Sequence, residues 1–183
     1  MEDNTKIPIG GIKFSEELVQ VTVVRNSAGE TSFDDLLHLL AGSRINIPFI
    51  CHSISDCSAN YSANHSENYR EKSSFCVLSS DLERVQELLT FSSFTSRSVR
   101  IIPSVGTLTL FPHKNSFRLL GLVIGCFGKN QYPIHSLATS ISAIALNTDY
   151  CLLDDIAGEL QTIVTLPENH APYRQEFLLT QKL

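Results

Sequence analysis

The sequence has no long apolar run and no concentration of positive charge. Its most apolar stretch, residues 119–127, is far shorter than the roughly 20 residues that a helix needs to span a bilayer. The first residues, MEDNTKIPIGG, lack the basic start and apolar core of a secretory signal, so we expect none. Lysines and arginines are scattered, and the net charge is −5. These absences argue against a membrane partner and against a nucleic-acid-binding surface.

The cysteine spacing and the absence of catalytic motifs argue against disulfide-bonded, zinc-binding and enzymatic classes of protein. The five cysteines are an odd number without paired spacing, so we expect reduced thiols and a cytoplasmic protein. A zinc site would have to come from Cys51, His52, Cys57, His65 and Cys76, which lack the usual ligand spacings. No nucleophile–base pair or carboxylate pair can be assembled with any specificity. We therefore expect no metal, no cofactor and no enzyme activity.

An internal repeat is the main positive feature of the sequence. Residues 21–24 align with residues 108–111, and residues 33–40 align with residues 120–127, both at an offset of 87. The offset falls to 68 where residues 76–78 align with residues 144–146, because the first copy carries an insertion at about 56–74. The repeat predicts a first unit at 1–96 and a second unit at 97–183 that ends in a C-terminal extension.

Hydrophobic periodicity gives the same order of elements in both copies. In the first copy, strands are predicted at 19–24, 45–54, 75–78 and 99–102, and helices begin at Ser32 and Ser80. In the second copy, strands are predicted at 105–111, 133–139, 142–147 and 176–182, and helices at 116–128 and 150–164. This βαββαβ order predicts an α+β fold of two ferredoxin-like units, each an antiparallel sheet with its helices on one face.

Two segments suggest contacts with other molecules. The helix at 117–127 is apolar on more than one side, which predicts burial against the sister unit or another chain, and hence a homodimer. The insertion contains the polar sequence SANYSANHSENY (58–69). It is interpreted either as a flexible hairpin extension or as a short helix that presents Tyr61, His65 and Tyr69 to a partner.

Three stretches carry a resemblance to a known family: GGIKFSEELVQVTVV (10–24), LLHLLAGSRINIPFICHSIS (36–55) and LATSISAIALNTDYCLLDDIAGEL (137–160). Together they resemble tandem ACT domains, most of all the C-terminal regulatory pair of aspartate kinases, although no kinase half is present. The Pro-Gly that often precedes the first helix is missing, and Pro48 and His135 stand where the family often has Asp. The resemblance implies that residues 5–17 pair with the second unit and that the tail from Leu166 is peripheral.

The resemblance also implies an amino-acid effector at the loop between first strand and first helix, where helix N–H groups can hold a carboxylate. The candidate residues are Asn26, Ser27, Gly29 and Ser32 in the first copy and His113, Lys114, Asn115 and Ser116 in the second. Asn46 and His135 would complete the pocket across an interface. The alternative is that the loops are plain turns with helix caps and that Asn46 and His135 are ordinary surface residues.

The expected function is that of a stand-alone, allosteric regulatory module that binds a small amino acid at an ACT–ACT interface. The alternative is a degenerate ACT-like scaffold that assembles proteins without a ligand.

Overall fold

The computed structural model describes residues 6–25, 32–56, 69–92, 98–112, 116–170 and 173–174. The strands within these ranges are β1 (Ile7–Pro8), β2 (Gly11–Phe14), β3 (Leu18–Arg25), β4 (Phe49–Asp56), β5 (Tyr69–Leu78), β6 (Val99–Phe111), β7 (Ser136–Thr139), β8 (Ile144–Asp149) and β9 (Val164–Thr165). The helices are α1 (Phe33–Gly42), α2 (Leu82–Phe91), α3 (Phe117–Lys129) and α4 (Leu153–Leu160).

The chain divides into two compact units, and we call residues 17–105 the first unit and residues 1–16 with 106–183 the second unit. These bounds differ from the division at 96/97 that the repeat predicts. The physical reason is β6, which runs unbroken through that point and gives residues 99–105 to the first unit and residues 106–111 to the second.

The first unit is a four-stranded antiparallel sheet in the order β4-β5-β3-β6. Alternate residues of β3 and β5 face the helices, because successive side chains of a strand point to opposite faces. Helices α1 and α2 supply the other side of the core at every third or fourth position. The buried core consists of Val19, Val21, Val23, Phe33, Leu36, Leu40, Ile45, Phe75, Val77, Val85 and Leu89.

The second unit has the sheet order β2-β6-β8-β7, in which β2 takes the place of the last strand. The register aligns Gly11 with Phe111 and Phe14 with Leu108 in antiparallel pairing. A separate two-residue parallel pairing joins β1 to β9. Helices α3 and α4 pack on a core that includes Ile12, Leu108, Leu110, Leu119, Val123, Phe127, Ile144, Leu146, Leu153, Ile156 and Leu160. The prediction of two ferredoxin-like α+β units is confirmed.

Strand β5 begins at Tyr69, so the last residues of the predicted insertion belong to the sheet. Residues 69–74 all pair with β4, and residues 71–74 also pair with β3, so this part of the predicted insertion extends the sheet. Buried polar side chains there have polar partners, as the 2.8 Å hydrogen bond between Ser74 Oγ and Thr22 Oγ1 shows. The interpretations of residues 57–68 concern a segment outside the described residues.

One strand prediction and one helix prediction also need correction. The strands predicted at 99–102 and 105–111 form one strand, β6. Ser104 has a φ of 53° and the register to β3 shifts beside it, so Pro103 lies at an irregularity that tolerates proline. Helix α4 spans 153–160 rather than 150–164, because Val164 and Thr165 pair with β1 instead. The strand predicted at 176–182 lies outside the described residues.

Helix α3 buries one face in the core of the second unit, and the predicted burial of its other sides against another chain stays a prediction. Leu119, Val123, Cys126 and Phe127 form the buried face. The opposite face exposes three large apolar side chains, with 87% exposure at Phe117, 39% at Leu122 and 44% at Ile124. No helix among the described residues is long and apolar enough to cross a membrane.

Candidate functional site

The candidate ligand residues Asn26, Ser27, Gly29, His113, Lys114 and Asn115 lie outside the described residues. The structure does describe the residues that follow these two loops, which are Ser32 and Ser116. Both are helix N-caps with extended backbone, at the start of α1 and α3 respectively. Their surroundings therefore show how each helix end could receive an anion.

Ser32 is engaged in a complete capping box. Its hydroxyl oxygen accepts from the Asp35 backbone N–H at 3.1 Å, and the Ser32 hydroxyl donates to Asp35 Oδ2 at 2.6 Å. The Ser32 backbone N–H donates to the same carboxylate oxygen at 3.2 Å. The hydrogen bond from the Ser32 side chain is the main reason that the pKa of Asp35 lies below its usual value. The start of α1 thus already carries its own carboxylate.

Ser116 caps α3 more simply. Its Oγ accepts from the Leu119 N–H at 3.1 Å. The first turn of α3 has no acidic residue, whereas the first turns of α1, α2 and α4 contain Asp34 and Asp35, Glu83, and Asp154 and Asp155. The second residue of α3 is Arg118, which places a cation near the positive end of the helix dipole. Of the two candidate loops, the one before α3 therefore faces the more positive helix end.

A polar cluster occupies the loop end of the first unit. Arg25, the last residue of β3, donates from Nη1 to Glu71 Oε2 at 2.9 Å, and both side chains are at most 15% exposed. Glu71 Oε1 lies 3.9 Å from His52 Nδ1, and this same nitrogen is 2.8 Å from Ser73 Oγ. The His52 ring stacks on Phe33, with centroids 5.3 Å apart and planes 10° apart. These side chains therefore satisfy one another at the end of β3.

Asn46 and His135 do not lie at the loop ends of their own units. Asn46 is exposed and precedes β4. The first residue of β4 pairs with Cys76 of β5, and Cys76 also pairs with Gln20 near the start of β3. The first candidate loop follows the other end of β3, five residues and about 17 Å further along. In a β-α-β connection the second strand runs parallel to the first. The second strand therefore starts at the end of the sheet opposite the loop that follows the first strand.

His135 has the same placement in the second unit. Its backbone N–H donates to the Asn147 carbonyl at 2.8 Å, and the Asn147 side chain accepts from the Thr107 hydroxyl at 2.7 Å. Thr107 precedes the second candidate loop by roughly 13 Å of strand. His135 Nε2 lies 2.8 Å from Asp149 Oδ1, which gives this ring a local partner. Within one unit, Asn46 and His135 thus lie at the end of the sheet opposite the strand ends after which the candidate loops follow.

Of the candidate zinc ligands, Cys57 and His65 lie outside the described residues, and Cys51, His52 and Cys76 do not converge. Cys51 and Cys76 share one face of the sheet, and His52 points to the other, because neighbouring residues of a strand alternate. Among the residues that the structure describes, no group of three potential metal ligands comes together.

Three residues of this region were not predicted to belong to a site, namely Arg25, Glu71 and Ser73. Glu71 and Ser73 belong to a stretch interpreted as insertion, so their burial was not expected. Glu71 and Ser73 alternate with exposed Lys72, and this stretch continues directly into apolar Phe75. Such an alternation indicates a strand with polar residues on its inner face.

Comparison with solved structures identifies the fold. No protein-family model matches the sequence, and a search of curated proteins finds no relative. The ligand-free regulatory subunit of aspartate kinase from Thermus thermophilus is similar with a TM-score of 0.67 at 10% identity, over 86% of this chain and 99% of that one. Aspartate kinase from Synechocystis is similar with a TM-score of 0.68 at 14% identity, over 91% of this chain and 30% of that one.

Aspartokinase III of E. coli in complex with lysine and aspartate is also similar, with a TM-score of 0.56 at 13% identity, over 88% of this chain and 34% of that one. At this level of identity the likeness defines a fold. The fold is a tandem of ACT-like units. More particularly, it is the fold of the regulatory region of aspartate kinases, which confirms the resemblance seen in the sequence.

Proposed function

We propose that this protein is a non-catalytic regulatory module that binds a small free amino acid and transmits its occupancy to a partner. The observation that supports this most is coverage: the chain matches 99% of a stand-alone regulatory subunit but only 30–34% of whole aspartate kinases. The chain thus corresponds in extent to a regulatory part. The lysine and aspartate of the E. coli structure make amino acids the class of ligand to test here.

The site that we favour is the loop of His113, Lys114 and Asn115 together with Ser116 at the start of α3. A ligand carboxylate there would meet the positive helix end, and no side-chain carboxylate of the first helical turn would oppose it. The corresponding site of the first unit, formed by Asn26, Ser27, Gly29 and Ser32, is the weaker candidate. Its helix end is already complemented by Asp35.

We further propose that the module acts as a homodimer in the cytoplasm. Asn46 and His135 lie about a strand length from the loops of their own units, so a second copy would have to bring them to a ligand. The exposed apolar face of α3 is the surface that pairing would cover. Light scattering after gel filtration should give twice the chain mass of 20.3 kDa at tens of micromolar. A monomer at that concentration contradicts the dimer.

The effector site is tested by melting the protein with single amino acids. Ligand at about 100 times its dissociation constant should add roughly 2.7 kcal/mol to the free energy of unfolding. Lys114→Ala should reduce this shift without unfolding the free protein, because a surface lysine contributes little to stability. Lys129→Ala is the matched control, since Lys129 is an exposed lysine at the other end of α3. Equal loss of the shift in both variants would refute the assignment to the loop.

A second candidate function is the ligand-free scaffold. Two observations favour it. The polar side chains at the end of β3 already have partners within the first unit, and α3 exposes an apolar face. The scaffold predicts that Ile124→Lys abolishes assembly and that no amino acid changes the melting temperature. A ligand-dependent shift in the assembled protein would rule it out.

A further inference from the structure

The second unit holds one arginine side chain in a constructed site. Arg174 Nη1 donates to Asp154 Oδ1 at 2.8 Å and Arg174 Nη2 donates to Asp154 Oδ2 at 2.9 Å, a two-point pairing of guanidinium and carboxylate. The guanidinium carbon lies 5.2 Å from the centroid of the Phe14 ring and 5.7 Å from that of Tyr150. Two aromatic rings and one carboxylate thus contact the same planar cation.

These three groups come from separate elements of the second unit. Phe14 ends β2 and is 8% exposed, Tyr150 begins the 3₁₀ turn after β8, and Asp154 lies in the first turn of α4. Packing of these elements therefore fixes the backbone positions of Phe14, Tyr150 and Asp154. The hydrogen bond from Arg174 is the first reason that the pKa of the Asp154 carboxyl is lowered.

Tyr173 anchors the chain beside this site. Its ring lies 5.2 Å from that of Phe14, and its carbonyl oxygen accepts from the Phe14 N–H at 2.8 Å. Its hydroxyl accepts from Gln161 Nε2 at 2.8 Å. The chain thereby presents Arg174 at a high effective concentration, which is in the millimolar range for a short tether.

The chemistry of the site selects a guanidinium over an ammonium group. A planar guanidinium can pair with both oxygens of a carboxylate while it stacks against aromatic rings, whereas a lysine ammonium acts as a point charge. The site is open to solvent, since the side chains of Arg174 and Asp154 are 42% and 66% exposed. An exposed ion pair is a weak one, so its arginine can exchange.

We propose that Phe14, Tyr150 and Asp154 form a guanidinium slot, a recognition site for an arginine side chain that Arg174 fills within the same chain. When residue 174 leaves, the slot binds an arginine from outside, supplied by a peptide or as the free amino acid. The slot lies near Gly106, at the end of the second unit opposite the candidate effector loop, since a Cβ at Gly106 would contact Tyr150. It is therefore independent of the proposed effector site.

The test is an NMR titration of the full-length Arg174→Ala variant with N-acetyl-L-arginine amide. This probe has the guanidinium but neither the free carboxylate nor the ammonium group that the effector loop would recognise. We expect saturable shifts at the amides of Phe14, Tyr150 and Asp154, with binding up to about fivefold weaker to the wild type, whose slot is filled. N-acetyl-L-lysine amide should bind at least about tenfold more weakly than the arginine probe.

Two double variants decide whether the slot is responsible. Arg174→Ala with Asp154→Asn should lose binding by about tenfold or more, which corresponds to about 1.4 kcal/mol. Arg174→Ala with Asp155→Asn should retain it, because Asp155 is an exposed neighbour in the same helical turn. Free L-arginine, titrated in parallel, separates the sources: tighter binding than the blocked probe supports the free amino acid, and weaker binding supports a peptide. Absence of binding to Arg174→Ala, or equal binding by both double variants, overturns the proposal.

Discussion

Gly106 sets how closely β6 approaches α4, and a single methyl group tests that contact. A Cβ added at Gly106 would lie 2.5 Å from Leu153 Cδ1 and 3.1 Å from Tyr150 Cδ2. Leu153 is fully buried, so its side chain cannot move away freely. Overpacking of a well-packed core costs about 1–3 kcal/mol. The loss of glycine flexibility in the unfolded chain offsets about 0.4–1 kcal/mol of this.

We therefore expect Gly106→Ala to lower the free energy of unfolding by about 1–2 kcal/mol. In a unit of this size, each kcal/mol corresponds to a change of roughly 4–8 °C in melting temperature. Gly158→Ala is the matched control, because a Cβ at Gly158 meets nothing within 4 Å on the exposed side of α4. It should raise stability by about 0.5–1 kcal/mol through helix propensity.

A double-mutant cycle then identifies the contact. Leu153→Ala alone should cost about 2–5 kcal/mol, because it leaves a cavity. Combined with Gly106→Ala, it should cost less than the sum of the two changes, since the added methyl group occupies part of that cavity. Additive effects, or changes of the same sign for Gly106→Ala and Gly158→Ala, would refute the packing derived for this strand and helix.

Two other predictions concern polar contacts of the first unit. Because the folded pKa of Asp35 lies below its ordinary value of 3.8, the capping box stabilises α1 above that pH and is lost as pH falls through the lower pKa. Ser32→Ala should move the pKa of Asp35 back toward 3.8 in a carbon-13 NMR titration, and an unchanged pKa would contradict the cap. Arg25→Leu should destabilise the protein to urea by about 3 kcal/mol, because it leaves Glu71 buried without its cation. Adding Glu71→Leu should recover most of that loss, and failure to recover would show that the pairing is not the cause.

The elements whose apolar spacing is regular were predictable from the sequence. The start of α1 was predicted to within a residue from the spacing of Phe33, Leu36 and Leu40. The helical stripe determines the buried face of α1, and the serine cap determines its start. Strand β5 was predicted too short. The alternation of Glu71 and Ser73 indicates a strand, but their burial depends on partners in other strands, which this local pattern does not identify.

The guanidinium slot was beyond sequence analysis for the same reason. Phe14, Tyr150 and Asp154 are far apart in the chain, and each has an ordinary structural interpretation by itself. The end of the sheet at which His135 lies was likewise not deduced, although the parallel course of a β-α-β connection determines it. Relations within an element were therefore predictable, and relations between distant elements required the structure.

The central claim, that this protein binds a free amino acid through the loop before α3, is tested most directly by equilibrium binding. Dialysis against all twenty amino acids, with each one quantified on both sides, measures binding without assuming its effect on stability. The proposal predicts that one amino acid or a chemically related pair is retained, and that Lys114→Ala reduces retention while Lys129→Ala does not. Equal concentrations of all twenty on both sides, at millimolar ligand and near-millimolar protein, would contradict it.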